Sequence, residues 1–291
     1  LFLPCFYLHA WNISPQNMLK IIAATDFSPA SKHALEFIIN ATSNLQREIV
    51  ILNVVHLDGP PPASMISSII ESLKTKAYFD YQSLSEEIME KYGEHLPMRF
   101  HAEVGGPAHK VIEKVARDEN ADLIVLGMKG MSDMQKVFLG SVAASTAMHS
   151  KFPIMIVPSG CQIYPIEHIV DATDLYQDES EFNKVMKYAR LFNAKVSMLH
   201  IYNHDEETEK ARMKVLNEGI EKKYGNLNVQ YVSYKNEHVT DGIERYTAEH
   251  PTDLLVIFTH KRLFYERLFN PSIAKELAFE SKVTLLVLKS E

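Results

Sequence analysis

Cysteine is nearly missing from this chain: only Cys5 and Cys161 occur among its 291 residues. Two thiols in unrelated contexts support neither a disulfide framework nor a cysteine-based metal site, and they fit a reducing cytosol. A basic excess is missing too. The formal net charge of −7 argues against a general binder of nucleic acid or of anionic membranes, which would need a basic face. No apolar stretch is long enough to span a bilayer, so the sequence reads as a soluble, cytoplasmic protein. Neither G-x-x-x-x-G-K-[ST] nor G-x-G-x-x-G occurs, which removes the P-loop and the dinucleotide fingerprint. The 13 histidines are scattered without H-E-x-x-H or comparable spacing, so a built-in zinc site has no support. Spacing alone also yields no nucleophile–base pair.

What is present is the composition of a globular protein, 46% hydrophobic and 23% charged, with room for about two domains. Residues 1–17 are apolar but lack a basic start and are broken by Pro4 and His9, a poor match to a signal peptide. Met18 leads almost at once into the first strand-like run, so we expect the fold to begin there and 1–17 to be an extension. The runs Leu19–Ala24, Glu48–Val55, Met98–Val104, Leu123–Leu126 and Pro153–Val157 read as buried strands. Helical stretches separate them, at Ala30–Leu45, Ala63–Lys91 and Pro107–Asn120. Ser28 is placed to cap the first of these, with Pro29 in the first-turn position that proline favours. Strands alternating with helices point to an α/β fold, a parallel sheet with helices on both faces.

The stretch around which the rest is organised is Gly127-Met-Lys-Gly130, followed by Gly140-Ser141. It follows the strand-like Leu123–Leu126 and leads into the helical Val142–Met148. Gly127 and Gly130, lacking Cβ, let a backbone turn sharply and approach a ligand. Gly140 and Ser141 would offer free N–H groups and a hydroxyl at the positive end of a helix. That combination suits phosphate; the alternative is three loop glycines and an N-cap serine with no ligand. Lys129 and Lys136 could approach the phosphates, or simply be solvated.

The pattern then repeats. Val170–Leu175 echoes Ala23–Phe27, Val196–Ile201 echoes Ile49–Val54, Thr252–Ile257 echoes Ala121–Leu126, and Val283–Leu288 echoes the fifth strand. We therefore expect domains at 18–160 and 163–291. In the second copy Phe258, Lys261 and Pro271 replace Gly127, Gly130 and Gly140, and only Ser272 remains opposite Ser141. The second half reads as a copy that keeps the fold without the phosphate cradle. His200, inside a strand-like run, reads as a packed or hydrogen-bonded residue, and Asp205–Glu209 as a solvated helix start.

Gly127, Gly130, Gly140 and Ser141 match G-x2-G-x9-G-[S/T], and on these residues the chain resembles the universal stress proteins in their tandem two-domain form. Thr25-Asp26-Phe27-Ser28 and Leu52-Asn53-Val54-Val55 resemble the family's first- and second-strand motifs, the latter often Leu-His-Val. The resemblance implies two doubly wound domains, each a five-stranded parallel sheet in the order 3-2-1-4-5. It implies ATP, with Mg or Mn, as the ligand of the first domain. Asp26 and Val54 would face adenine and ribose; the glycine loop, Ser141 and Val142 would face the phosphates. Order 3-2-1-4-5 places the switch in strand direction between strands one and four, where Asp26 and Gly127 lie, and ligands of such sheets bind there. Asp26 also has a simpler reading as a turn residue, since Asp174 recurs in the second half. The function expected is an ATP-binding regulatory protein of the stress response, with an unidentified protein partner. The other reading is a slow ATPase or self-phosphorylating enzyme. The fifth strand would lie at a sheet edge, so the two fifth strands should meet antiparallel as an intramolecular pseudo-dimer, with a further homodimer also open.

Overall fold

The structure is a computed structural model and describes residues 18–57, 62–93, 96–128, 140–175, 179–224, 228–259 and 283–290. The first half contains β1 (Leu19–Thr25), α1 (Pro29–Ala41), β2 (Arg47–Val55), α2 (Ile66–Tyr92) and β3 (Met98–Val104). It continues with α3 (Ala108–Asp118), β4 (Leu123–Met128), α4 (Ser141–His149) and β5 (Ile154–Pro158). The second half contains β6 (His168–Ala172), α5 (Glu179–Phe192), β7 (Lys195–Tyr202), α6 (Glu206–Tyr224) and β8 (Val229–Lys235). It ends with α7 (Val239–Glu249), β9 (Leu254–Phe258) and β10 (Thr284–Leu288).

The strands form one ten-stranded sheet in the order β3-β2-β1-β4-β5-β10-β9-β6-β7-β8. Each half runs 3-2-1-4-5 with parallel neighbours, and the halves join through a single antiparallel pairing of β5 with β10. In its register Ile156 faces Leu285, Met155 faces Leu286 and Ile154 faces Val287. The edge that a lone half would expose is therefore paired inside the chain.

Alternation along the strands divides the core in two. Leu19, Ile21 and Ala23 of β1 pack with α1 and α2 on one face, and Ile22 packs with α3 and α4 on the other. The first layer continues without a break into α5 and α6, the second into α7. Both halves thus share both layers, as expected when a two-fold axis passes through the sheet at β5–β10. Polar contacts reinforce the seam. The Lys289 ammonium donates to the carbonyls of Ala147 and Met148 at the end of α4, at 3.3 and 3.2 Å, where the helix is negative. Lys187 on α5 lies 3.6 Å from Asp122 of the first half.

Asp122 and Asp253, which repeat in the sequence, have the same structural task. Asp122 Oδ2 accepts the Lys20 amide at 3.1 Å, and Asp253 Oδ2 accepts those of Glu167 and His168 at 2.9 and 2.8 Å. Each ties the start of its half's fourth strand to the start of the first. The helix start at Asp205–Glu209 differs from expectation at its last residue. Asp205 caps α6 by accepting the Thr208 amide at 2.8 Å, but Glu209 is buried. Its Oε2 lies 3.0 Å from His204 Nε2 and 3.9 Å from Arg212 Nη1, so position 209 is a buried carboxylate beside basic side chains instead of a solvated charge. Among the described residues no helix is long and apolar enough to cross a membrane.

Candidate functional site

The candidate site lies at the carboxyl edge of the first half's sheet, where α1 leaves β1 toward one face and α4 follows β4 on the other. Strand pairing sets the layout. Ala24 is opposite Leu126 and Thr25 is opposite Asn53, so Asp26, Val54 and Gly127 reach the same edge. Ala143, Ala144 and Ala147 seat α4 on the face opposite α1, among Ile124, Leu126 and Met128. Of the residues expected here, Asp26, Val54 and Gly127 are placed at one sheet edge by the strand pairing, and Gly140, Ser141 and Val142 form the start of α4. Gly130, Lys129 and Lys136 lie outside the described residues, as do Lys261, Pro271 and Ser272 of the second half.

The turn after β1 is built by three hydroxyls. The Phe27 amide donates to Thr25 Oγ1 at 2.9 Å, which leaves the Thr25 proton for Ser31 Oγ, also 2.9 Å away. Ser31 Oγ in turn donates to Asp26 Oδ1 at 2.9 Å, and the Ser28 amide donates to the same oxygen at 3.0 Å. Ser28 caps α1 by accepting the Ser31 amide at 3.4 Å, and Pro29 occupies the first turn. Phe27 has φ 58°, a left-handed conformation unusual for an aromatic residue. Leu175 repeats it at φ 70°, with its amide on Thr173 Oγ1 at 3.0 Å. The turn therefore belongs to the fold in both halves.

These bonds leave Asp26 solvent-exposed but held in place. Its partial burial is the largest single influence and raises its pKa, but the bonds from Ser28 and Ser31 together outweigh it, holding the carboxyl below its ordinary 3.8. A depressed folded value makes the contribution to stability present above about the ordinary value and lost as pH falls through the folded one. Ser31→Ala should therefore move the Asp26 pKa up toward 3.8. An NMR titration of the carboxyl carbon reads this directly, and an unmoved midpoint would show that Ser31 does not hold the group.

Gly127 and Gly140 prove to be different kinds of glycine. A Cβ on Gly127 would lie 2.4 Å from the Ala30 carbonyl oxygen and 2.8 Å from the Ser31 nitrogen. The close approach that Gly127 permits among the described residues is to the first turn of α1, so the packing of the fold itself calls for glycine there. Among the described residues a Cβ on Gly140 would meet nothing within 4 Å, and its φ of −58° suits any residue, so none of them explains the glycine at 140. It is the N-cap of α4, whose first intrahelical bond runs from the Ala144 amide to the Gly140 carbonyl at 2.9 Å. The amides of the first turn have no intrahelical acceptor, and the helix dipole makes them attractive to anions. Ser141 and Val142 beside them are exposed, Val142 at 41%, an apolar side chain left open at the mouth of the crevice.

Two contributors were missed in the sequence. Ser31 could have been found from its place three residues after the cap serine, the spacing at which a polar side chain reaches back over a helix start. Asn53 is buried and donates from Nδ2 to the Thr25 carbonyl at 2.8 Å, bracing the turn from β2. In the second half His200 Nδ1 lies 3.3 Å from the Thr173 carbonyl, in the hydrogen-bonded role expected for it. Among the described residues no group of three or more His, Cys, Asp or Glu could hold a metal ion.

Residues 18–158 match the model of the universal stress protein family. A universal stress protein of Methanocaldococcus jannaschii is 29% identical over 143 residues, covering 47% of this chain and 81% of the relative. The universal stress protein YxiE of Bacillus subtilis is 26% identical over 148 residues, covering 47% and 97%. Among solved structures, a universal stress protein from Archaeoglobus fulgidus aligns with a TM-score of 0.68 at 19% identity, over 93% of this chain and 98% of that one. That likeness extends the shared fold to both halves. Residues 18–158 thus form a domain of the universal stress protein family.

Proposed function

We propose that the first half binds ATP in the crevice between α1 and α4 and acts as a nucleotide-dependent regulator of the stress response, with little or no turnover. The observation that carries this reading is Gly140: no neighbour among the described residues demands glycine there, yet it leaves open the α4 N-terminus, at the sheet edge that also carries the exposed carboxylate of Asp26. The residues present suit such a ligand. Asp26 would accept hydrogen bonds from a hydroxyl-bearing sugar, and Val54 and Val142 would offer apolar contact. Gly140, Ser141 and the first-turn amides of α4 would take the phosphates, with Gly130 as the remaining motif glycine. Mg or Mn would arrive with those phosphates, and the nucleotide itself supplies the charge that the site reads.

An occupied site also has a mechanical route outward. The Phe27 ring lies 6.3 Å from Phe100, which is stacked on Tyr81 of α2 at 4.6 Å, so a shift of the Asp26 turn is felt by α2. The second half is read as a partner in the fold that holds no nucleotide. Phe258 occupies the position of Gly127 and is fully buried in the layer that contains Phe182 and Val185. The setting that fits is cytoplasmic. The test is native purification followed by release and identification of small molecules. Adenine nucleotide in the released fraction supports the reading; its absence, together with no uptake of added ATP, contradicts it.

Gly140→Val provides the matching variant. Because the side chain has open space, stability in urea should stay within about 0.5 kcal/mol of the parent, apart from the small capping preference for glycine. ATP affinity should fall by about a hundredfold or more, as a branched side chain stands over the helix amides. Parent-like affinity measured by calorimetry would remove the α4 N-terminus from the site.

A further inference from the structure

At the opposite edge of the same half, below the amino ends of β1, β2 and β3, lies a cavity of about 600 Å³. Its lining includes Met18, Ile39, Leu45, Tyr92 and Leu96, an apolar wall formed where α1 and α2 end. Arg47 also lines it, and that is the anomaly. Arginine is seldom buried without a counter-ion, yet Arg47 is only 8% exposed. Its Nη1 donates to the carbonyl of Thr42 at the end of α1, and its Nε has no partner among the described residues. A carbonyl and the negative helix end offset part of the charge. No carboxylate among the described residues offsets the rest.

We propose that this cavity is a second ligand site, for a small monoanion with an apolar body, its carboxylate held by Arg47. The size falls in the range of small-molecule pockets, which combine an apolar lining with a few polar groups. The planar guanidinium is suited to a carboxylate, and a pair enclosed there gains more than one in water. Tyr92 and Asn40 brace the wall, with Asn40 Nδ2 donating to the Tyr92 hydroxyl at 2.9 Å. The site is independent of the nucleotide crevice, since it sits at the other end of the strands.

Octanoate, octan-1-ol and octylamine share a chain and differ in head-group charge, so calorimetry of the full chain with each tests the proposal. Octanoate should bind at a single saturable site, with the alcohol and the amine weaker by about tenfold or more. Arg47→Met should lower octanoate affinity by about tenfold or more with the circular dichroism spectrum unchanged. Ser43→Trp, at an exposed rim position, should block octanoate while keeping the arginine. ATP affinity should be untouched in both variants, which separates failure here from failure of the nucleotide reading. Equal binding of the alcohol, octanoate affinity unchanged by Ser43→Trp, or no saturable binding to the parent chain would each overturn it.

Discussion

Ile156→Lys is expected to destabilise the protein by about 4 kcal/mol or more, and Leu286→Lys by a similar amount. Both side chains are fully buried at the β5–β10 seam, Ile156 in the layer with α3 and α4 and Leu286 in the layer with α1 and α5. In each case the ammonium enters a layer that is continuous across both halves, with no water to solvate it. Packing on both faces also limits how far the lysine stem can carry the charge outward. The two variants probe opposite faces of one junction, so equal losses would show that both layers depend on it. Val215, 68% exposed on α6, is the control: Val215→Lys should change stability by no more than about 0.5 kcal/mol. Urea unfolding measures all three. Losses below about 1 kcal/mol at both seam positions would mean that β5 and β10 do not pair in solution.

Gly127→Ala should be the second most damaging change, for a reason that lies outside any ligand. The new Cβ would overlap the backbone of Ala30 and Ser31, which cannot move aside as a side chain can. Relief requires lifting the first turn of α1 from β4, and overpacking of this kind costs about 1–3 kcal/mol. The lift would also carry Ser31 away from Asp26. Stability and nucleotide affinity should therefore fall together, with Asp26 titrating closer to its ordinary value. Gly140→Val should separate the two, losing affinity alone. If Gly127→Ala kept full stability and lost only affinity, Gly127 would be a ligand contact, and the packing account would be wrong.

The second half carries a different residue at that position: Phe258 is fully buried there, in the layer that contains Phe182 and Val185 of α5.

Much of this fold was legible because its signals are local or periodic. Buried parallel strands appear as apolar runs, and the order of elements appears twice. The meeting of β5 and β10 followed from the exposed edge that order 3-2-1-4-5 leaves on a single half. The site was legible only as a set of residues. Its motif named Gly127 and Gly140 alike, because spacing does not say what a missing Cβ makes room for. That distinction depends on where α1 lands relative to β4, a contact between segments about a hundred residues apart. Glu209 and Arg47 escaped for the same reason. Charge in a sequence reads as solvated unless a partner is nearby, and their burial is set by tertiary packing. Ser31 was within reach, but its use depends on the left-handed Phe27, which no pattern of aromatic residues announces.

The central claim, one nucleotide site at the α4 N-terminus of the first half, is tested most directly by titrating ATP into the full chain and reading the stoichiometry. The account predicts saturation at one nucleotide per chain and loss of that binding in Gly140→Val with unfolding unchanged. Saturation at two per chain, or one that persists in Gly140→Val, would contradict it.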